Sequence, residues 1–169
     1  SSFPADETMT KTAAELRYSE TAFVRSSGVG GFTVRYFTPV AEVPLCGHAT
    51  IAAAHTLMHF EMARHGDVLT FDTQAGTIKV HIIPNRIMMD REPPQWLGNL
   101  SEGTLLQELY GVMGLQLPAE MTSDPGTEPL LPALVSTGLT DIILPVASRD
   151  ELAGIAPDFD ALPRLSRRL

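Results

Sequence analysis

Leu45-Cys46-Gly47-His48-Ala49-Thr50-Ile51-Ala52-Ala53-Ala54-His55-Thr56-Leu57-Met58-His59-Phe60 decides how this chain is read. A loop ends in Cys46-Gly47-His48, and Ala49 to Phe60 then carries alanines and leucine-type residues on nearly every face of a helix. A helix that is apolar all round has to be buried on most sides, so it is expected to be the core helix of a first domain, within a curved sheet. The first backbone N–H groups of such a helix have no partner inside it, and its dipole favours negative charge there. The same few residues therefore bring a thiol, an imidazole and a ready anion site together, and the helix start would depress the thiol pKa.

Working outward, Thr10 to Arg17 reads as a helix with Thr8 or Thr10 as its cap, broken at Tyr18-Ser19. Glu20 to Arg25 and Phe32 to Thr38 read as strands, joined by a hairpin at the glycines 28, 30 and 31. Gly28-Val29-Gly30-Gly31 lacks the glycine spacing of a phosphate loop and leads into a strand. Val68 to Thr73, Thr77 to Ile83 and Arg86 to Asp90 are further strands, and Pro93-Pro94-Gln95-Trp96 closes the unit with residues that end a ladder. A domain boundary is expected near Leu97 to Leu100, giving domains 1–98 and 99–169. Beyond it, Ser101 caps a helix running to Gly114, and prolines 118, 125, 129 and 132 mark a loop. Leu134 to Thr137 pairs with Asp141 to Val146 around Gly138, and Ser148 to Gly154 and Asp158 to Leu169 read as helices. Asp141 and Asp150 read as turn and cap residues.

The 169 residues hold 12 Lys+Arg and 20 Asp+Glu, a formal charge of −8, with 44% hydrophobic and 19% charged residues. This is the balance of a globular chain, and its acidity argues against a nucleic-acid or anionic-membrane partner. A small molecule is the expected partner. The longest apolar stretch, Ala49 to Met58, is too short to span a bilayer and no leader opens the chain, so a cytoplasmic location is the default. Cys46 is the only cysteine, which excludes an intrachain disulfide and any mechanism that needs two thiols from one chain.

Glu20 stands where a helix passes into the apolar run Thr21-Ala22-Phe23-Val24. Desolvation disfavours a charged carboxylate, so such a position suits proton transfer. Glu42, in the loop before the cysteine, could orient that loop or bind substrate. His55 and His59 have the i, i+4 spacing of a metal-binding helix, yet Thr56-Leu57-Met58 between them adds no ligand, so they are read as packing residues. No metal and no cofactor is expected. Nucleophile-elbow, phosphate-loop and Cys-x-x-Cys patterns are absent from the sequence.

Ser19-Glu20-Thr21-Ala22-Phe23-Val24 followed by Arg35-Tyr36-Phe37-Thr38-Pro39-Val40-Ala41-Glu42-Val43-Pro44-Leu45-Cys46-Gly47-His48-Ala49-Thr50 closely resembles the PhzF-like family of phenazine-biosynthesis-type isomerases, relatives of diaminopimelate epimerase. A weaker likeness runs through Ser136-Thr137-Gly138 and Asp158-Phe159. The resemblance implies an α/β protein with mixed sheets, two similar domains, and a curved sheet around a central helix in each. It implies a cofactor-independent isomerase in which Glu20 is the catalytic acid/base and His48 an active-site histidine. By the same resemblance Gly47 with its neighbours Cys46 and Ala49 binds a small carboxylate substrate. Cys46 stands where related epimerases place one of two catalytic thiols; with no second thiol, a carboxylate-based proton transfer is the better reading. The family's opening strand with its Gly-Asn-Pro loop, and its Asp-Pro-x-Thr-Gly motif, have no counterpart here; Asp124-Pro125-Gly126 does not match. The chain therefore reads as most of one domain and a truncated second, inactive by itself, with an unpaired sheet edge that favours association, for example as a homodimer. The alternative is a binding module that keeps the fold without the chemistry.

Overall fold

The computed structural model describes residues 2–118 and 130–169; the prolines at 125 and 129 and Asp124-Pro125-Gly126 lie outside them. The chain divides into two compact units, Ser1–Pro93 and Pro94–Leu169. In order, the first holds α1 (Asp6–Leu16), β1 (Thr21–Gly28), β2 (Gly31–Phe37), β3 (Glu42–Val43), α2 (Gly47–His59), β4 (Val68–Thr73), β5 (Gly76–Ile83) and β6 (Arg86–Met89). The second holds β7 (Gln95–Asn99), α3 (Gly103–Val112), β8 (Ala133–Ser136), β9 (Thr140–Ile143), α4 (Arg149–Ala153) and α5 (Leu162–Ser166). Among the described residues no helix is long and apolar enough to cross a membrane.

The first unit is a mixed sheet in the order β1-β2-β4-β5-β6, with β3 added to β2. The β2–β4 pair is parallel and the others are antiparallel, so the expected α/β class with mixed sheets holds. β1 and β2 form the expected hairpin, with Gly30 at φ 69° in its turn, a conformation that side chains resist. Strand alternation sorts the side chains: Phe32, Val34 and Tyr36 of β2, Leu69 and Phe71 of β4, and Ile78, Val80 and Ile82 of β5 are all buried. Phe32 lies opposite Phe71 in the parallel register and meets it edge-on at 5.8 Å.

α2 touches β1 and β6, the two edge strands, as well as β5. Five strands spaced about 4.8 Å apart would set those edges about 19 Å apart in a flat sheet, more than the ~10–12 Å diameter of a helix. The sheet therefore bends around the helix. Ala49, Thr50, Ala53, Ala54 and Leu57 form the helix's buried side. The expectation of burial on most sides fails, because Ala52, His55, Thr56 and His59 are exposed. Alanine gives no period of its own, so the pattern could not say which stripe the strands would cover.

On the other side of the β1–β2 hairpin, Met9 and Ala13 of α1 pack with Phe37, Phe3 and Phe23. α1 begins four residues before the expected start, with Ala5 at its N-cap and Asp6 and Glu7 in its first turn, where negative charge suits the dipole. Thr8 and Thr10 therefore lie inside the helix and neither is its cap; Thr10 donates back to the Asp6 carbonyl. Arg35 of β2 ties the layers together: Nε and Nη2 donate to the two Glu42 carboxylate oxygens at 2.7 and 2.6 Å, and Nη1 donates to Asp6 at 2.9 Å.

The Arg35 hydrogen bond holds the exposed Asp6 carboxyl below its usual pKa. A depressed carboxyl contributes stability above its unfolded value, about 3.9, and loses it as pH falls through the lower folded value. Asp6→Asn should therefore be slightly less stable than the parent at pH 7 and converge on it as pH falls below about 4, so that its acid slope is flatter. Urea midpoints measured from pH 6 to 3 check this; an unchanged acid slope would refute it.

In the second unit, β7, β8 and β9 form an antiparallel sheet in that order. Leu106, Leu109 and Val112 of α3 pack with Leu100 and Leu165. Gln95 and Trp96 do not close the preceding unit; they start β7, whose partner β8 is remote in sequence. The sequence boundary at 98/99 runs through that strand. Ser101 does not cap α3, which begins at Gly103 with Glu102 at its N-cap. Ser148 caps α4, accepting from the Glu151 N–H at 3.0 Å. Asp150 lies inside that helix and Asp141 in β9, so neither is a cap or a turn. The final helix is only Leu162–Ser166, because Asp158 instead accepts from the N–H groups of Asp160 and Ala161 in a turn before it.

Candidate active site

Arg17 ends α1 in the left-handed conformation, φ 58°, and the chain turns through Tyr18-Ser19 so that Glu20 immediately precedes β1. β1 is an edge strand beside α2, and this brings Glu20 to the start of that helix. Cys46 is the N-cap of α2 and His48 lies in its first turn. Donor atoms of Glu20, Cys46 and His48 lie within 4.8 Å of one another. His48 Nε2 is 3.2 Å from Glu20 Oε2, and Cys46 Sγ is 3.5 Å from His48 Nδ1 and 3.7 Å from Nε2.

The three side chains differ in exposure. Cys46 is 7% exposed, the Glu20 side chain 23% and the His48 side chain 69%. Glu20 Oε2 is shielded from water, and although His48 is close, no well-aligned hydrogen bond engages that oxygen. Ser19, which sequence reasoning passed over, places its Oγ 3.3 Å from His48 Nε2. Its signal was only its place beside Glu20.

A second hydroxyl pair seats the helix. Thr50 Oγ1 donates to the Cys46 carbonyl at 2.7 Å, which leaves Tyr36 Oη to donate to Thr50 at 2.6 Å, both buried. The first turn of α2 is thus pinned to β2. Beside it opens a cavity of about 550 Å³ whose lining includes Ser19, Glu20, His48, Ala49, Ala52 and Thr56. Gly47 and Ala49 stand in the first turn of α2, as His48 does. Glu42 is not brought to this cluster: it lies in β3 and outside the cavity lining, with both oxygens held by Arg35. Sequence spacing could not reveal that clamp, because Arg35 and Glu42 meet only when β3 folds back on β2.

The depressed thiol expected from the helix start is not found. Burial pushes the Cys46 thiol up, the Ala49 backbone N–H opposes the rise, and the Glu20 carboxylate adds to it. Desolvation outweighs the helix start here. Alkylation of Cys46 by iodoacetamide should accordingly be slow at neutral pH, with a midpoint above the ~8.5 of a free thiol. A pH–rate profile compared with that of the urea-unfolded chain tests this; a midpoint at or below the unfolded value would refute it.

The first unit is thus a mixed α/β sheet bent around a helix, with a carboxylate, a thiol and an imidazole gathered at that helix's N-terminus. A profile of the family described as phenazine biosynthesis-like protein, PhzC-PhzF, matches residues 4–168, and the chain belongs to that family. It is 35% identical over 166 residues to an uncharacterized isomerase of Pseudomonas aeruginosa, covering 97% of this chain and 55% of that protein. To the uncharacterized isomerase YddE of Escherichia coli it is 31% identical over 176 residues, covering 99% of this chain and 56% of that protein. The crystal structure of a PhzF-family phenazine biosynthesis protein from Bacillus anthracis superposes with a TM-score of 0.72 at 28% identity, over 98% of this chain and 54% of that one. A predicted epimerase of Pseudomonas aeruginosa shares the fold, with a TM-score of 0.77 at 22% identity over 98% and 57% of the two chains. The chain thus spans about half the length of the relatives it matches.

Proposed function

We propose that this chain carries the acid/base machinery of a cofactor-independent isomerase that moves a proton between carbons of a small carboxylated substrate. The observation that carries this reading is the water-shielded Glu20 Oε2 at a cavity beside the start of α2, 3.2 Å from His48 Nε2 and without a well-aligned hydrogen bond. In this reading the substrate carboxylate sits beside the start of α2, where the partial positive charge of the helix offsets its own. The ionised Glu20 accepts a proton from a carbon next to an electron-withdrawing group. The electron pair moves into that conjugated system, and the protonated Glu20 returns the proton to a second carbon. His48 holds the carboxylate in place, and the protonated Cys46, which lies behind the cavity lining, is not a base.

The chain alone, half the length of its relatives, is proposed to turn over far below the rate of a full-length member, because acid/base work of this kind depends on excluding water. The reading is tested with the chain in excess over each of a panel of small carboxylates that have an acidic C–H. Deuterium uptake from D₂O is followed by NMR. Uptake faster than the uncatalysed exchange, suppressed by a competing carboxylate, is expected. Binding of these compounds with no acceleration of exchange for any of them would overturn the catalytic reading in favour of a binding module.

A further inference from the structure

We propose that Glu20, Cys46 and His48 form a coordination site for one Zn²⁺-class divalent cation. Tetrahedral zinc with sulfur at about 2.3 Å and nitrogen or oxygen at about 2.0–2.1 Å has N–O edges of roughly 3.3 Å and S–N edges of roughly 3.6 Å. His48 Nε2 stands 3.2 Å from Glu20 Oε2 and 3.7 Å from Cys46 Sγ. Glu20 and His48 thus stand at an edge length of such a tetrahedron, whereas Cys46 Sγ is also 3.5 Å from His48 Nδ1 and flanks the ring, so binding turns the exposed His48 ring toward the sulfur and releases its Ser19 contact.

Charge and softness narrow the ion. A thiolate and a carboxylate bring two full negative charges, which outweigh the roughly half positive charge at the start of α2. Thiolate with imidazole selects zinc or cadmium over magnesium and calcium. On binding, the Cys46 thiol proton leaves to solvent. Among the described residues no other group of three such donors lies close enough together, and the exposed His55 and His59 have no third partner of this kind. Three protein donors leave a fourth position for water or a ligand carboxylate. If the acid/base reading holds, the ion takes the Oε2 lone pair that would accept the proton and acts as an inhibitor; binding itself does not depend on that reading.

Cobalt(II) is the probe, titrated into the full chain kept reduced with a phosphine. Because Cys46 is the only cysteine, a thiolate-to-cobalt charge-transfer band reports this site alone. The expected result is a band saturating at one cobalt per chain, abolished by equimolar Zn²⁺ and untouched by excess Mg²⁺. Cys46→Ala and Cys46→Ser should lose the band, and Glu20→Gln and His48→Gln should each weaken cobalt binding at least about tenfold, with circular dichroism confirming that each variant is folded. No band at millimolar cobalt, or an affinity unchanged in both Glu20→Gln and His48→Gln, would overturn the proposal. Deuterium exchange measured in EDTA reports the acid/base reading separately, so either can fail without the other.

Discussion

Glu20→Gln is expected to slow deuterium exchange at least about a hundredfold while leaving the fold and carboxylate binding in place, since a positioned acid/base group contributes roughly 10²–10⁴-fold. The amide matches the carboxylate in size and can still face His48, but it cannot take up a proton and return it. Stability should change by less than about 0.5 kcal/mol, because Glu20 makes no well-aligned hydrogen bond through Oε2 that the substitution would break. Carboxylate affinity, which the proposal assigns to the start of α2, should remain close to wild type. Exchange at the wild-type rate in a folded Glu20→Gln chain would remove the acid/base assignment. His48→Gln should lower affinity more than rate, since His48 is assigned to holding the substrate.

Arg35→Ala should produce the largest loss of stability among single changes away from the apolar core. The Arg35 side chain is 22% exposed and that of Glu42 17%, and the guanidinium also lies over Phe37 at 5.1 Å and Phe3 at 5.8 Å. Removing one partner of a fully buried pair costs about 3–5 kcal/mol, because the other charge is left without compensation; this partly exposed pair should cost about 3 kcal/mol. In a unit spanning Ser1–Pro93 that corresponds to a fall in melting temperature of roughly 12–24 °C. Arg35→Lys keeps the charge and loses the two-pronged contact, so it should fall between. Arg35→Met combined with Glu42→Leu should recover much of the loss, since neither charge then needs desolvating. A loss below about 1 kcal/mol in Arg35→Ala would place the pair among ordinary surface ion pairs.

The two variants also mark how far local sequence reaches. α2, the β1–β2 hairpin and the β4–β5–β6 meander were legible because each rests on short-range signals: alanine and leucine density, turn glycines and alternating apolar positions. β7 was not, because Gln95-Trp96-Leu97-Gly98-Asn99 after two prolines has weak strand character and forms by pairing with β8, more than thirty residues away. α1 began earlier than its threonines suggested, since acidic residues at Asp6 and Glu7 served its start better than a hydroxyl cap.

Glu20, Cys46 and His48 could be named as candidates from residue type and local position, and the sequence alone established one thiol and an acidic chain. Which of them share a site depended on tertiary structure. An edge strand folded beside α2 brings Glu20 within 3.2 Å of His48 across a sequence separation of 28, while the return of β3 onto β2 gives Glu42 to Arg35 instead. The protonation of Cys46 was decided in the same way. The helix dipole is a local property that can be read from the sequence, but desolvation depends on what the rest of the fold packs around the sulfur, and here it is the larger of the two.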